Sequence, residues 1–502
     1  MKVNNLLNSK AFIVVVLFAN AVFMINLLGY TMYDDGWRHL AMATMSQDLQ
    51  SWQKAYIHTL FREYDPWFMW HKFLGFVGEF STHNNIYIAV NSFVYFFLSL
   101  WYFLIFKKYS KLTPSIVLFF AIFLPLLTIK YFNLRPEVLS GLFALYVLLF
   151  RSNVAIFVVS ILYAPMYYVY WFFMGYIGYV KLVLGQFRGF FAIAFAGVIG
   201  SAFHLWYDLD GFVYITKLVL SNDSLRGSYS VGETYPFLIP LEVVNHFGSS
   251  VVILSLMAFS MLVYLVLKPK NELLKIIILV LPMMIVQLRF FALLYPLMVA
   301  FSVILFSTLL KEFVEGRIYD VVDNIKEFID KRTLFGYLGS KSIYIIVVLF
   351  ISIVFVKDII AIKKGSNSIT SQLQNYSFLK AEKYKNKRIL LTYMSVEGNM
   401  GFYINPTISI YPSCALGWTD HESTLHDISL RYISNDKISK EEFFTLFDEV
   451  DPDFFIITPR GSKTILNFSL EEMRAKNFVF KEVVNGYVVF EKIDKNKDGL
   501  SF

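Results

Sequence analysis

Two adjacent carboxylates, Asp34 and Asp35, lie in the run YDDGWRHLAMA at residues 33–43, just beyond an apolar stretch. Like charges beside apolar material hold on to a proton more tightly, which suits one of the pair to act as a general base. The same residues can also cap a helix, because aspartate accepts the free N–H groups of a first turn and favours its positive end. Trp37, Leu40, Ala41 and Met45 follow at helical spacing. A helix lying along a membrane interface is therefore expected here, holding the acids above the bilayer.

Charged residues at the ends of apolar runs supply further candidates. NLRPEVLS at residues 133–140 carries Arg135 and Glu137. Pairing of the two, with Pro136 in the first turn of a helix, is one use, and ligand binding is the other. Arg289, in QLRFFALLYP, is a solitary guanidinium between apolar stretches and needs an anionic partner. A phosphate suits its planar fork, whether on a phospholipid headgroup or on a lipid-linked substrate. HLWYDLDG at residues 204–211 contains Asp208 and Asp210 at a spacing that suits a divalent cation, although paired loop acids are common. Glu233, Glu242 and His246 belong to the same loop, whose Gly227, Gly232 and Pro236 show only that it bends. His58 and His71 fit interfacial positions better than catalytic ones.

These residues are positioned by a chain that is 57% hydrophobic and 18% aromatic but only 17% charged, outside the range of ordinary soluble domains. A hydrocarbon core of about 30 Å needs about 20 apolar residues per helix. That ruler predicts about eleven spans, near residues 11–29, 86–106, 113–130, 137–150, 153–167, 168–186, 189–204, 249–267, 274–290, 291–310 and 343–361. The first is long and lacks a small-residue cleavage pattern after it, so it reads as an uncleaved span. Lys107, Lys108, Lys111, Arg151, Lys181, Arg188, Lys268, Lys270 and Lys275 all fall at one side of this arrangement. By the excess of basic residues in cytoplasmic loops, that side and the N-terminus are cytoplasmic. The net charge of +7 is thus used in orientation, and nucleic acid is excluded as a partner. The single cysteine, Cys414, excludes an internal disulfide or a cysteine-based zinc site.

The fold class expected is a polytopic α-helical membrane protein with a small C-terminal α/β soluble domain. Residues 1–361 form the membrane domain, with outer loops at 30–85 and 205–249, and 362–502 form the outward-facing domain. In the latter, strands are expected at 388–394, 407–411, 453–458 and 486–492, with a helix over 440–448 opening after Ser439. The acids of DPDFFIIT at 451–458 read as a turn into a buried strand.

This layout resembles the GT-C superfamily of membrane glycosyltransferases. Those enzymes place an acidic motif in a long first outer loop with juxtamembrane helices, and often end in an outward-facing soluble domain. DDGWRHLAMA is similar to the family's paired-acid motif, and Arg-Pro-Glu at 135–137 to a turn of many bacterial members. The resemblance covers the whole chain in architecture and short patches in motif. It implies an inverting glycosyltransferase that moves a sugar from a polyprenyl-phosphate-linked donor to a glycan, lipid or protein acceptor. Asp34 or Asp35 would be the base, and Arg289 and Arg135 the donor-phosphate ligands. Glu137, Asp65 and His204 would then be donor- or acceptor-binding residues. Asp65 lies in EYDPWF at 63–68, which is similar to an oligosaccharyltransferase motif, so en bloc oligosaccharide transfer is an alternative. The acceptor-recognition motif Trp-Trp-Asp-Tyr-Gly of that branch is absent from the sequence. No cofactor is required; a divalent cation is possible, held by Asp208 and Asp210. A third reading is a transporter or flippase of lipid-linked sugars. Richness in Lys, Asn, Ile and Phe points to a bacterial inner membrane, with the acids on the periplasmic face.

Overall fold

A computed structural model describes residues 9–31, 36–44, 65, 67–80, 83–110, 112–132, 134–149, 152–167, 170–213, 272–286, 288–314, 340–391, 400–401, 403–405, 407–411, 439–458 and 469–493. Most of these are helical. The helices are α1 (Lys10–Leu28), α2 (Gly36–Thr44), α3 (Phe68–Glu79), α4 (His83–Tyr109), α5 (Pro114–Phe123), α6 (Val138–Leu149), α7 (Asn153–Tyr163), α8 (Tyr170–Val183), α9 (Phe187–Tyr207), α10 (Glu272–Val286), α11 (Leu288–Val314) and α12 (Ser340–Asn375). Every expected apolar stretch is helical except 249–267, which lies outside the described residues. Between residues 153 and 183 the chain makes two helices, because Pro165 in a short 3-10 turn ends the first. Past α5 the chain tightens into a 3-10 segment, Leu124–Phe132, interrupted at Thr128.

Among the described residues three helices are long and apolar enough to cross a membrane: Lys10–Leu28, Asn84–Tyr109 and Phe187–Trp206. Their outer surfaces explain why lipid suits them. On α1, Ile13, Leu17, Ala21 and Met24 are buried against the bundle, yet Val15 and Phe23 on the other side are more than 60% exposed. On α9, Phe191, Phe195 and Val198 are equally bare. A helix apolar all round needs a non-aqueous surface on its free side.

The helices run antiparallel, which sorts the charges to two ends. At one end the Tyr87 hydroxyl of α4 donates to Gly29 O at 2.8 Å, joining the end of α1 to the start of α4. At the other, the Tyr109 hydroxyl donates to Leu149 O, and Lys181 sits beside Gln186 and Asn153. Lys107, Lys108 and Lys181 therefore share the second end, and α2 and α3 pack at the first.

A five-stranded sheet follows α12, with β1 (Arg388–Leu391), β2 (Ser409–Tyr411), β3 (Phe454–Ile457), β4 (Phe478–Val484) and β5 (Tyr487–Lys492) in the order β2-β1-β3-β5-β4. The pairings β1–β2 and β1–β3 are parallel, and β5 runs antiparallel to both its neighbours. Period-two alternation fills both faces. Leu390, Phe455 and Phe490 meet Phe443 and Phe447 of α13 (Lys440–Val450) and Met473 of α14 (Leu470–Ala475). Ile389, Leu391, Phe454, Ile456 and Val489 face Tyr376, Leu379 and Tyr384. Helix α13 opens after Ser439 as expected, and Ser439 and Glu442 form a reciprocal capping box at its start. Asp451 ends that helix in a left-handed conformation, and the Asp453 carboxylate accepts the Arg388 N–H. The acids of 451–453 are therefore turn residues. Strand β4, absent from the expectation, pairs with β5 through a tight turn in which Asn485 and Gly486 both have positive φ.

Candidate functional site

Helix α2 begins one residue after Asp35. It is covered by other parts of the protein: Trp37, Arg38, His39, Leu40, Ala41, Met42 and Ala43 are all buried. Its expected apolar stripe is present in Trp37, Leu40 and Ala41, while Met45 lies outside the described residues. Helices α3 and α4 pack against α2, and Tyr403, beyond β1 in the chain, meets Trp37 at its start. Trp37 lies between Tyr30 and Tyr403, both rings tilted to it with centroids 5.2 and 5.1 Å away. The Tyr403 hydroxyl donates to Tyr30, which donates in turn to Asn84 Oδ1 at 2.9 Å. Burial pushes both phenols upward, so both remain hydroxyl donors.

Arg38 and His39 carry polar groups into this enclosed space. The Arg38 guanidinium sits 5.2 Å above the Trp67 ring, and His39 meets the same ring edge-on. His39 Nδ1 lies 2.7 Å from His71 Nε2 on α3, and His71 Nδ1 lies 2.8 Å from Asp65 Oδ2. The second Asp65 oxygen accepts the Trp67 N–H at 2.9 Å, which fixes the carboxylate. Asp65, His71 and His39 are thus a continuous hydrogen-bonded row, with both rings only 1% exposed. Burial holds the His39 ring well below the usual imidazole range, reinforced by the positive charge of Arg38 and Arg135.

The turn at 134–137 joins this cluster. The Trp70 indole N–H of α3 donates to Leu134 O at 2.7 Å, and Leu134 itself adopts a left-handed φ of 54°. Arg135 Nη2 approaches Glu137 Oε1 at 3.5 Å, a long pair with both side chains mostly shielded. The turn is tied through Trp70 to α3, which packs directly on α2. Below it, the Ser140 and Tyr163 hydroxyls meet at 2.7 Å and tie α6 to α7.

The remaining expected residues fall in several places. Asp34 and Asp35 lie outside the described residues, as do His58, Glu233, Glu242 and His246. Arg289 is on α11, but its side chain is also outside them. His204, near the end of α9, bonds Ala164 O at 3.0 Å and is sandwiched between Tyr170 and Phe212. Asp208 accepts the Gly211 N–H within its own short turn, and Asp210 is exposed. Among the described residues no three His, Cys, Asp or Glu side chains are grouped to hold a metal ion. No protein-family model and no curated protein sequence matches this chain.

His71 is not at an interface but in the middle of the buried row, because the aromatic segment 67–70 folds it inward. Arg38 and His39 were passed over as functional residues, although two polar side chains inside an aromatic, apolar helix were a signal that they needed partners. The spacing between His39 and His71 holds no such signal, since only the packing of α2 on α3 joins them.

Proposed function

We propose that the chain is a polytopic membrane glycosyltransferase of about eleven spans, moving a sugar from a polyprenyl-phosphate donor to an acceptor at the outer face of a bacterial inner membrane. Its N-terminus would be cytoplasmic and its residues from 362 onward periplasmic. The observation that carries this reading is the convergence of α2, which directly follows Asp34 and Asp35, with the Arg135–Glu137 turn and Asp65 at the bundle end opposite Lys107, Lys108 and Lys181.

In this reading Asp34 or Asp35 removes the proton of an acceptor hydroxyl. The freed oxygen lone pair attacks the anomeric carbon opposite the phosphate, and the carbon–oxygen bond to phosphate breaks with its electron pair. The configuration inverts and polyprenyl phosphate leaves. Arg289 and Arg135 neutralise the growing phosphate charge, while Glu137 and His204 shape the donor and acceptor sites. Positioning by the bilayer contributes through lost freedom of motion already spent on binding. No metal is needed for a phosphomonoester leaving group held by guanidinium groups.

The test uses the full-length protein in nanodiscs with a panel of polyprenyl-phosphate hexoses and pentoses, reading released polyprenyl phosphate. The D34N/D35N double variant should lose about 10²–10⁴-fold in rate. No release from any donor, or release at the wild-type rate by the double variant, would refute the proposal. Movement of intact donor across a sealed vesicle without cleavage would identify a transporter instead.

A further inference from the structure

The row Asp65–His71–His39 has an internal direction. A carboxylate only accepts, so the proton between Asp65 Oδ2 and His71 Nδ1 belongs to the ring nitrogen. A neutral His71 then has a bare Nε2, which accepts the Nδ1–H of His39 across 2.7 Å. His39 in turn keeps an unprotonated Nε2. Each tautomer follows from the previous partner, and Trp67 N–H fixes the far end by holding the other Asp65 oxygen. Two histidines in series, ending on a buried acid, make a continuous path for a proton.

We propose that Asp65, His71 and His39 form a proton relay, with His39 Nε2 as its entrance and Asp65 as its terminus. The inference rests on the glycosyl-transfer reading for its proton source, the acceptor-hydroxyl proton that Asp34 or Asp35 takes up and hands on. As that proton arrives at His39 Nε2, the Nδ1 proton of His39 passes to His71 Nε2. The Nδ1 proton of His71 then passes to Asp65 Oδ2. One proton enters, one carboxylate becomes a carboxylic acid, and no ring keeps a charge. Arg38 beside His39, and Arg135 from the neighbouring turn, disfavour a lasting imidazolium there. That is the condition under which handing the proton on is worth more than storing it. Glu137, paired to Arg135, is the other acid on this side. Asp65 and His71 are positioning residues in this scheme: they set which nitrogen of His39 is bare. A misplaced tautomer in an acid–histidine pair costs as much as about 10⁴-fold in a hydrolase triad.

Two measurements on the full-length protein in nanodiscs decide the matter separately. In the first, ¹⁵N-histidine magic-angle-spinning spectra are assigned with H39Q and H71Q, and D65N is compared with wild type. Both rings should be Nδ1–H tautomers in the wild type, and D65N should convert His71 and, through it, His39 to the opposite tautomer. A His39 signal indifferent to D65N would overturn the relay. In the second, transfer from the polyprenyl-phosphate donor is followed. D65N and H71Q should each lower kcat by about 10²-fold with the donor KM unchanged. Wild-type kcat in D65N would also overturn the relay. A wild type that transfers nothing, with the coupled tautomer switch intact, would overturn glycosyl transfer as the proton source and uphold the coupling of Asp65, His71 and His39.

Discussion

Gly29 ends α1 with φ 73° and ψ −156°, just before the segment that carries Asp34 and Asp35. This region of backbone space is open to glycine alone, and a side chain there costs about 1–3 kcal/mol. A Cβ at this position would also stand 2.5 Å from Ser366 Oγ of α12, closer than such atoms approach, while Ser366 Cβ would be at an acceptable 3.7 Å. Gly29→Ala therefore meets two separate penalties, one from its own backbone and one from a single buried oxygen. Removing that oxygen in Ser366→Ala should cancel only the second. The expected result of a double-mutant cycle is a coupling of about 0.5–3 kcal/mol, with the backbone share persisting in the double variant. The assay is heat-induced unfolding of the four proteins in one detergent. If Ser366→Ala restores full stability, the backbone argument is wrong. If Gly29→Ala is as stable as wild type, the packing of α12 on the end of α1 is wrong as well.

Two other outcomes are expected. His39 is held neutral in the folded protein, whereas in the unfolded chain it takes up a proton below about pH 6.5. Its contribution is thus complete above that pH and is lost as the pH falls, by up to about 1.4 kcal/mol per pH unit. The midpoint of thermal unfolding should decline faster between about pH 6.5 and 5 in wild type than in His39→Gln, and parallel curves would refute this. Tyr403→Phe removes the hydrogen bond to Tyr30 and should cost about 1 kcal/mol, while Tyr403→Ala also loses the ring contact with Trp37 and should cost about 2–3 kcal/mol. Equal losses in the same unfolding assay would show that the ring contributes nothing.

The helices were legible because runs of apolar residues have few alternatives, and their ends were marked by Pro114, Pro165 and the capping Ser152. Strands β1, β2, β3 and β5 were legible for a related reason, since Ile389–Leu391 and Phe454–Ile456 have no helical period. Strand β4 was not. Lys481 and Glu482 interrupt its apolar residues on an exposed edge, where pairing with β5 and not burial creates the strand. Likewise α12 was expected to end near 361, where Lys363 and Lys364 close the apolar run, yet the helix continues on polar residues to Asn375. Hydropathy reports a change of solvent, not the end of a hydrogen-bond ladder. At the site, Asp65 was visible through its motif, and Arg135 and Glu137 through their place at a helix start. The partnership of His39 with His71 was hidden, because it is made by two helices whose packing no local spacing encodes.

The unbroken course of α12 makes it a shaft with a fixed pitch. Its 36 residues extend about 54 Å, well beyond a hydrocarbon core of about 30 Å, so the sheet is mounted on rigid helix and not on a tether. Height and bearing are then locked together: each residue added to the shaft lifts the sheet about 1.5 Å and turns it about 100°. Tyr403 meets Trp37 at one bearing only. Among related chains, lengthening or shortening this shaft would be tolerated in steps of seven residues, close to two full turns, far better than in steps of two.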